Sequence, residues 1–211
     1  MLAASGLLPS CADARGRFED FHNRLQAEAP NTDAGDAAGA SNGSEDGPCT
    51  PPAPGVVNGP ALLAIETSLA AGLPILFLGT IDTPEVGGTT AVHFTYRALD
   101  SLDRSTRVGP ELQVGPFPLD HGLLTALVPE STLDGDANPI VHGAPIDSEM
   151  TLSGRICGER RFYCGVLTGS TSGLVSGPFT GNFGITLLDG PDAVPDRPRF
   201  GCADQDLAPA L

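Results

Sequence analysis

Glycine and proline are the residues that most constrain how this chain can fold. Glycine supplies 27 and proline 20 of the 211 residues, which is almost twice their average share of about 12%. Within a helix interior, glycine is worse than alanine by ~1 kcal/mol and proline by ~3 kcal/mol. The composition therefore excludes a helical bundle, and the length favours a single domain with appendages.

Apolar and polar residues alternate with a period of two from Val56 to about Asp189, which is the pattern of half-buried β-strands. The alternation is clearest over Val92–Ala98. It also favours a strand at Ala61–Leu69, where helical spacing offers an alternative. With no helical pattern between them, about eight short strands predict an all-β fold, either a single antiparallel β-sandwich or an up-and-down barrel.

Two of these stretches, Ile75–Thr83 and Leu123–Val128, are apolar at both odd and even positions. We expect both to be strands that are covered on both faces. Gly87-Gly88, Gly109-Pro110 and Gly158-Glu159 are expected turns, because glycine and proline end regular structure.

The N-terminus resembles the end of a bacterial lipoprotein signal. Leu8, Ser10 and Cys11 match the motif in which the cysteine receives the lipid. A signal needs a positively charged segment before ~7–15 apolar residues, and none precedes this short apolar run. We therefore interpret residues 1–10 as the remnant of a signal peptide whose start codon lies upstream, and Cys11 as the lipidation site.

Two further segments separate this anchor from the β domain. Phe18, Phe21 and Leu25 have helical spacing, which predicts a short amphipathic helix within residues 11–29. Residues 30–55 contain no Val, Ile, Leu, Met, Phe or Tyr, so we expect a disordered spacer. The β domain then covers 56–190, and 191–211 form a C-terminal tail tied by Cys202.

Cysteine parity supports export. If Cys11 is lipidated, Cys49, Cys157, Cys164 and Cys202 remain, an even number that fits two disulfides in an oxidising compartment. Cys157 and Cys164 flank an expected hairpin turn, so we predict that they pair and that Cys49 pairs with Cys202. A bridge from the hairpin to Cys202 would satisfy parity equally.

The strongest metal candidate is a loop with Asp134, Asp136 and Asn138 at alternate positions, which is the start of a calcium loop. Pro139 stands where an EF-hand loop has glycine, and such residues also form ordinary turns. We expect the turn, with no cofactor and with calcium as the alternative. The nearest match to a serine-hydrolase elbow has Thr171 at the nucleophile position and no helix after it, so we expect no catalytic residue and no enzyme.

Three segments, Cys11–Phe21, Asp136–Ile140 and Tyr163–Gly169, make the chain similar to uncharacterised secreted lipoproteins of myxobacteria. That resemblance implies a place in the cell envelope, anchored to the outer membrane or extracellular, and no known activity. The net charge of −15 excludes a nucleic-acid partner. We expect a surface-displayed, non-catalytic binding or structural β module that meets the membrane through its lipid anchor. The alternative is a small-ligand carrier with a lipocalin-like barrel, and the protein or small-molecule partner is unknown.

Overall fold

The computed structural model describes residues 49–158 and 160–202. The lipidation site Cys11, the signal remnant, the amphipathic helix and the spacer up to residue 48 lie outside the described residues. Within them, the chain forms nine β-strands and a 3₁₀ helix, Gly135–Ala137. The strands are β1 Gly59–Thr67, β2 Ile75–Asp82, β3 Glu85–Val86, β4 Thr89–Leu99, β5 Arg107–Asp120, β6 Leu123–Leu133, β7 Ile146–Arg155, β8 Phe162–Ser172 and β9 Gly177–Leu187.

Eight of these strands close into an antiparallel barrel. Each pairs with its neighbour along the chain, except that β2 passes over the two-residue β3 to pair with β4. The ring closes where β1 pairs with β9. The predicted all-β antiparallel fold is confirmed, its barrel form is the one adopted, and Ala61–Leu69 lies mostly in a strand. Gly109-Pro110, an expected turn, instead lies inside β5, where Gly109 has a positive φ of 67°.

Inward-facing residues of the long strands occupy most of the barrel interior, and two glycines make room for the ring of Phe183. Gly154 and Gly165 lie opposite each other on β7 and β8. A Cβ atom on either would lie 2.8 or 2.7 Å from the ring of Phe183, which is fully buried. The aromatic ring therefore takes the volume that two side chains would otherwise occupy.

One end of the barrel is covered by the segment that leads into β1. Val57 is 1% exposed, and its backbone carbonyl accepts a hydrogen bond of 3.1 Å from the Thr83 hydroxyl. Cys49 forms a disulfide with Cys157, beyond the end of β7. Residues 49–55, which the sequence predicts as the end of the spacer, contribute to this cover through backbone hydrogen bonds from Gly55 to Thr83 and from Gly158 to Thr50.

The outer face of the barrel is also covered at one place. Leu76 and Leu78 on β2 are buried outside the barrel interior, where Val194 and Phe200 of the C-terminal segment contact their cluster. The two-sided burial predicted for Ile75–Thr83 is thus confirmed. The same prediction for Leu123–Val128 is wrong, because Leu127 is 65% exposed on the outer face.

The predicted disulfide pairing is wrong, and the alternative, a bridge from the hairpin to Cys202, is the one that forms. Cys49 pairs with Cys157, and Cys164 pairs with Cys202. The β7–β8 register places Gly154 opposite Gly165. The residue opposite Cys164 is therefore Arg155, and Cys157 lies two residues further along. Cys164 lies at a position of β8 whose side chain points to the outer face of the barrel. Cys202 follows the segment that covers the barrel from outside, and the two cysteines therefore meet there.

Candidate functional site: the barrel interior

The interior is not filled at the end opposite Cys49. A cavity of about 90 Å³ lies there, and a second cavity of about 40 Å³ lies deeper in the barrel. Five residues line both cavities, so the two are neighbours along the barrel axis: Leu63, Tyr96, Val114, Val128 and Leu152. The mouth of the larger cavity is formed by Leu69, after β1, and Ile140, in the β6–β7 connection.

The walls of both cavities carry no charge among the described residues. The polar side chains that line the larger cavity are those of Tyr96 and of serine and threonine residues. In the smaller cavity Tyr96 is the polar residue among apolar ones. An ionised group placed there would lose its hydration without gaining a counter-ion, which is strongly unfavourable. The interior is therefore suited to a neutral, mainly apolar molecule.

Tyr96 is the polar side chain in the wall shared by the two cavities. It is 3% exposed, and its ring stacks on that of Phe94, with 5.6 Å between the ring centroids. Its hydroxyl has no hydrogen-bond partner within the described part of the chain. Burial raises the pKa of Tyr96 far above that of a free tyrosine, so the hydroxyl stays protonated.

Gly79 on β2 accounts for the position of the Tyr96 ring. The two residues are direct partners across the β2–β4 ladder. A Cβ atom on Gly79 would lie 2.7 Å from the Tyr96 ring and 1.8 Å from the Thr95 carbonyl oxygen. Only glycine leaves room there for the ring without displacing the backbone.

The loop with Asp134, Asp136 and Asn138, predicted to be a turn with calcium as the alternative, forms part of the mouth. The Asp134 carboxylate accepts a hydrogen bond of 3.0 Å from the Asp136 amide and so caps the 3₁₀ helix. Asn138 is 1% exposed; its amide oxygen accepts from the backbone N–H groups of Ile140 at 2.8 Å and Val141 at 3.1 Å. Asn138 thereby fixes the backbone that carries Ile140 at the mouth, as expected of an Asx-type turn.

No metal-binding group of three or more His, Cys, Asp or Glu side chains is found within residues 49–158 and 160–202. Thr171, which stands in the hydrolase-like motif, lies on β8, and its hydroxyl donates to the carbonyl of Gly177 across the β8–β9 hairpin. No helix of the described segments has the length and hydrophobicity to cross a membrane.

The wall of the barrel is weakest between β5 and β6. Their ladder comprises two pairs in the described structure, Leu119 with Leu124 and Asp120 with Leu123. The turn joining them has two residues of positive φ, so Asp120 and Leu123 form its hydrogen-bonded pair. Pro118 lies two residues before Asp120, so its backbone also faces β6. Because proline has no N–H to donate, it cannot form the next hydrogen bond of the ladder. The pairing stops there, which leaves a seam in the wall.

The seam reaches the cavities. Val114 on β5 and Val128 on β6 lie beyond the last β5–β6 pair, line both cavities and are only partly buried. Pro129 follows Val128 where the β6–β7 register shifts. Sequence reasoning missed this feature, although the prolines of β5 and β6 were its available signal, since proline within a sheet marks an edge.

Comparison with known proteins gives no family to which the chain can be assigned, because no protein-family model, no curated protein and no solved structure matches it. The two disulfides point to an oxidising environment, extracellular or periplasmic.

Proposed function

We propose that this protein is a non-catalytic binding module of the cell envelope whose barrel interior holds a small apolar molecule. The observation that carries the proposal is the pair of uncharged cavities behind an open mouth. The opposite end is covered by the segment that Cys49 ties to the barrel. A barrel that served only as a structural support would gain stability from side chains packed into this space.

The size of the cavity limits the ligand. About 90 Å³ is well below the ~300–1,000 Å³ of pockets for drug-sized molecules. The interior therefore takes a small molecule, or one end of a longer chain that leaves through the mouth or the β5–β6 seam. Large rigid ligands of the kind held by wide barrels are excluded.

Two neighbouring residues of β6 provide a matched test. Val128 lines both cavities, while Leu127 is exposed on the outer face of the same strand. We expect toluene, followed by methyl NMR of the full chain, to shift the resonances of Leu63 and Leu152. Val128→Phe should fill the cavity and weaken toluene binding at least tenfold, and Leu127→Phe should leave it unchanged.

Either of two results would refute ligand binding in the interior. The first is that toluene shifts no cavity-lining methyl group at its solubility limit. The second is that Val128→Phe and Leu127→Phe bind toluene alike. The thermal unfolding temperature of each variant, measured without toluene, shows that the barrel is folded in the binding experiment.

The envelope location rests on the sequence of Cys11 and on the two disulfides. Lipidation of Cys11 would hold the barrel at a membrane surface, since two or more acyl chains anchor a protein stably where one is marginal. Labelled fatty acid should enter the full chain expressed with its signal and should not enter Cys11→Ser. Label in the variant would refute the anchor and leave the binding function untouched.

A further inference from the structure

We infer that the ligand of the barrel interior is a neutral molecule with a compact apolar body and one oxygen, and that this oxygen hydrogen-bonds to the hydroxyl of Tyr96. The inference rests on the proposed function and specifies the chemistry of its ligand. Tyr96 is the residue that determines specificity for such a ligand.

The two tyrosines of the chain differ in the hydrogen bonding of their hydroxyl groups. Tyr163 is 2% exposed, and its hydroxyl donates to the carbonyl of Arg160 at 2.6 Å. Tyr96 is buried to the same degree, but its hydroxyl has no partner among the described residues. A buried hydroxyl that bonds to nothing destabilises a fold, and phenylalanine would fit the same stack on Phe94 without that penalty. The hydroxyl therefore gains its partner when a ligand is bound.

The location of Tyr96 determines which molecules could supply this partner. Its side chain lies in the wall common to both cavities, and its hydroxyl oxygen is itself fully buried. A ligand whose apolar body fills the larger cavity therefore brings its polar end to the Tyr96 ring and pairs with the hydroxyl by displacing the packing around that atom. On the side of the smaller cavity a buried water is a poor substitute, because water needs two to four polar partners and the residues that line that cavity are otherwise apolar.

The absence of charge in the described walls sets the ionisation state of the ligand. A carboxylate would need a cation, and the described residues lining the two cavities include none. The net charge of −15 repels anions from the molecule as a whole. Alcohols, aldehydes and phenols fit the interior, whereas ionised fatty acids do not.

Three probes of similar size test the inference: toluene, benzyl alcohol and benzoate. Their dissociation constants are measured by NMR titration of the full chain and of Tyr96→Phe. We expect Tyr96→Phe to weaken benzyl alcohol binding about tenfold, the size of one hydrogen bond in a dry site, and to leave toluene binding unchanged. Benzoate should bind neither protein.

The unfolding temperature of the ligand-free chain distinguishes a hydroxyl that stabilises the fold from one that waits for a ligand. Tyr163→Phe should lower the unfolding temperature because it removes a hydrogen bond, and Tyr96→Phe should maintain or raise it. An unchanged ratio of benzyl alcohol to toluene affinity in Tyr96→Phe would overturn the inference, as would tight binding of benzoate or an unfolding temperature lowered as in Tyr163→Phe. If toluene binds and the ratio does not change, this inference fails alone. If toluene does not bind, the proposed function fails with it.

Discussion

Removing the two disulfides one at a time should destabilise the barrel by different amounts. Cys49 and Cys157 are separated by 108 residues, and Cys164 and Cys202 by 38. In the chain-entropy model, loops of these lengths contribute about 5 and about 4 kcal/mol to the free energy of unfolding, as upper values. The perturbation is the paired change of both cysteines to serine, because a single change would leave a free thiol.

Circular dichroism during heating measures the effect. In a domain of this size each 1 kcal/mol shifts the melting temperature by roughly 2–4 °C. Cys164→Ser with Cys202→Ser should thus lower it by up to ~8–16 °C, and Cys49→Ser with Cys157→Ser by somewhat more.

The pairing itself is measured by peptide mapping without reductant. A fragment that joins Cys157 to Cys164, or Cys49 to Cys202, would refute the pairing. A larger loss of stability from removing Cys164 and Cys202 than from removing Cys49 and Cys157 would contradict the entropic argument. The mouth of the cavity lies opposite Cys49, so toluene binding should survive in the Cys49 and Cys157 variant below its melting temperature.

Three other outcomes are expected from the contacts. Asn138→Ala should lower the free energy of unfolding by about 2–3 kcal/mol, since it leaves two backbone N–H groups and a carbonyl without their buried partner; an unchanged melting temperature would contradict this. Leu124→Ala should cost about 3–5 kcal/mol because Leu124 is 1% exposed, and Leu127→Ala on the outer face well under 1 kcal/mol, as urea unfolding can measure. The amide of Thr125 faces the β5–β6 seam, whereas the amide of Ala126 faces β7 and is paired with it. In native-state hydrogen exchange the Thr125 amide should therefore exchange faster than the Ala126 amide. Equal protection would mean that the seam is closed.

Local alternation made the fold predictable. A period of two identifies a strand and its buried face from neighbouring residues alone, so β4 and the strand at Ala61–Leu69 could be predicted. The covered outer face of β2 was also readable, because Leu76 and Leu78 interrupt the alternation with apolar residues that something must bury. The same pattern on β6 was misleading, since Leu127 has nothing packed over it among the described residues.

Features that depend on distant parts of the chain could not be read in this way. The partner of Cys164 is determined by where the segment after β9 crosses the barrel, which no local pattern contains. The alternating sequence of β4 indicates that Tyr96 faces the barrel interior. It does not show that the hydroxyl has no partner, because that depends on which side chains of the other strands surround it.

The departures from a filled, regular barrel coincide in space, and this favours a binding site over defective packing. Pro118 ends the β5–β6 ladder, Val114 and Val128 line the cavities at the resulting seam, and Tyr96 lies in the same wall. A random packing fault would have no reason to combine an open wall, an uncharged interior and one unpartnered hydroxyl. Even at Phe183, which lines the smaller cavity, two glycines make room for the ring. The chain can thus fill interior space with a large ring, and it leaves these two neighbouring cavities unfilled.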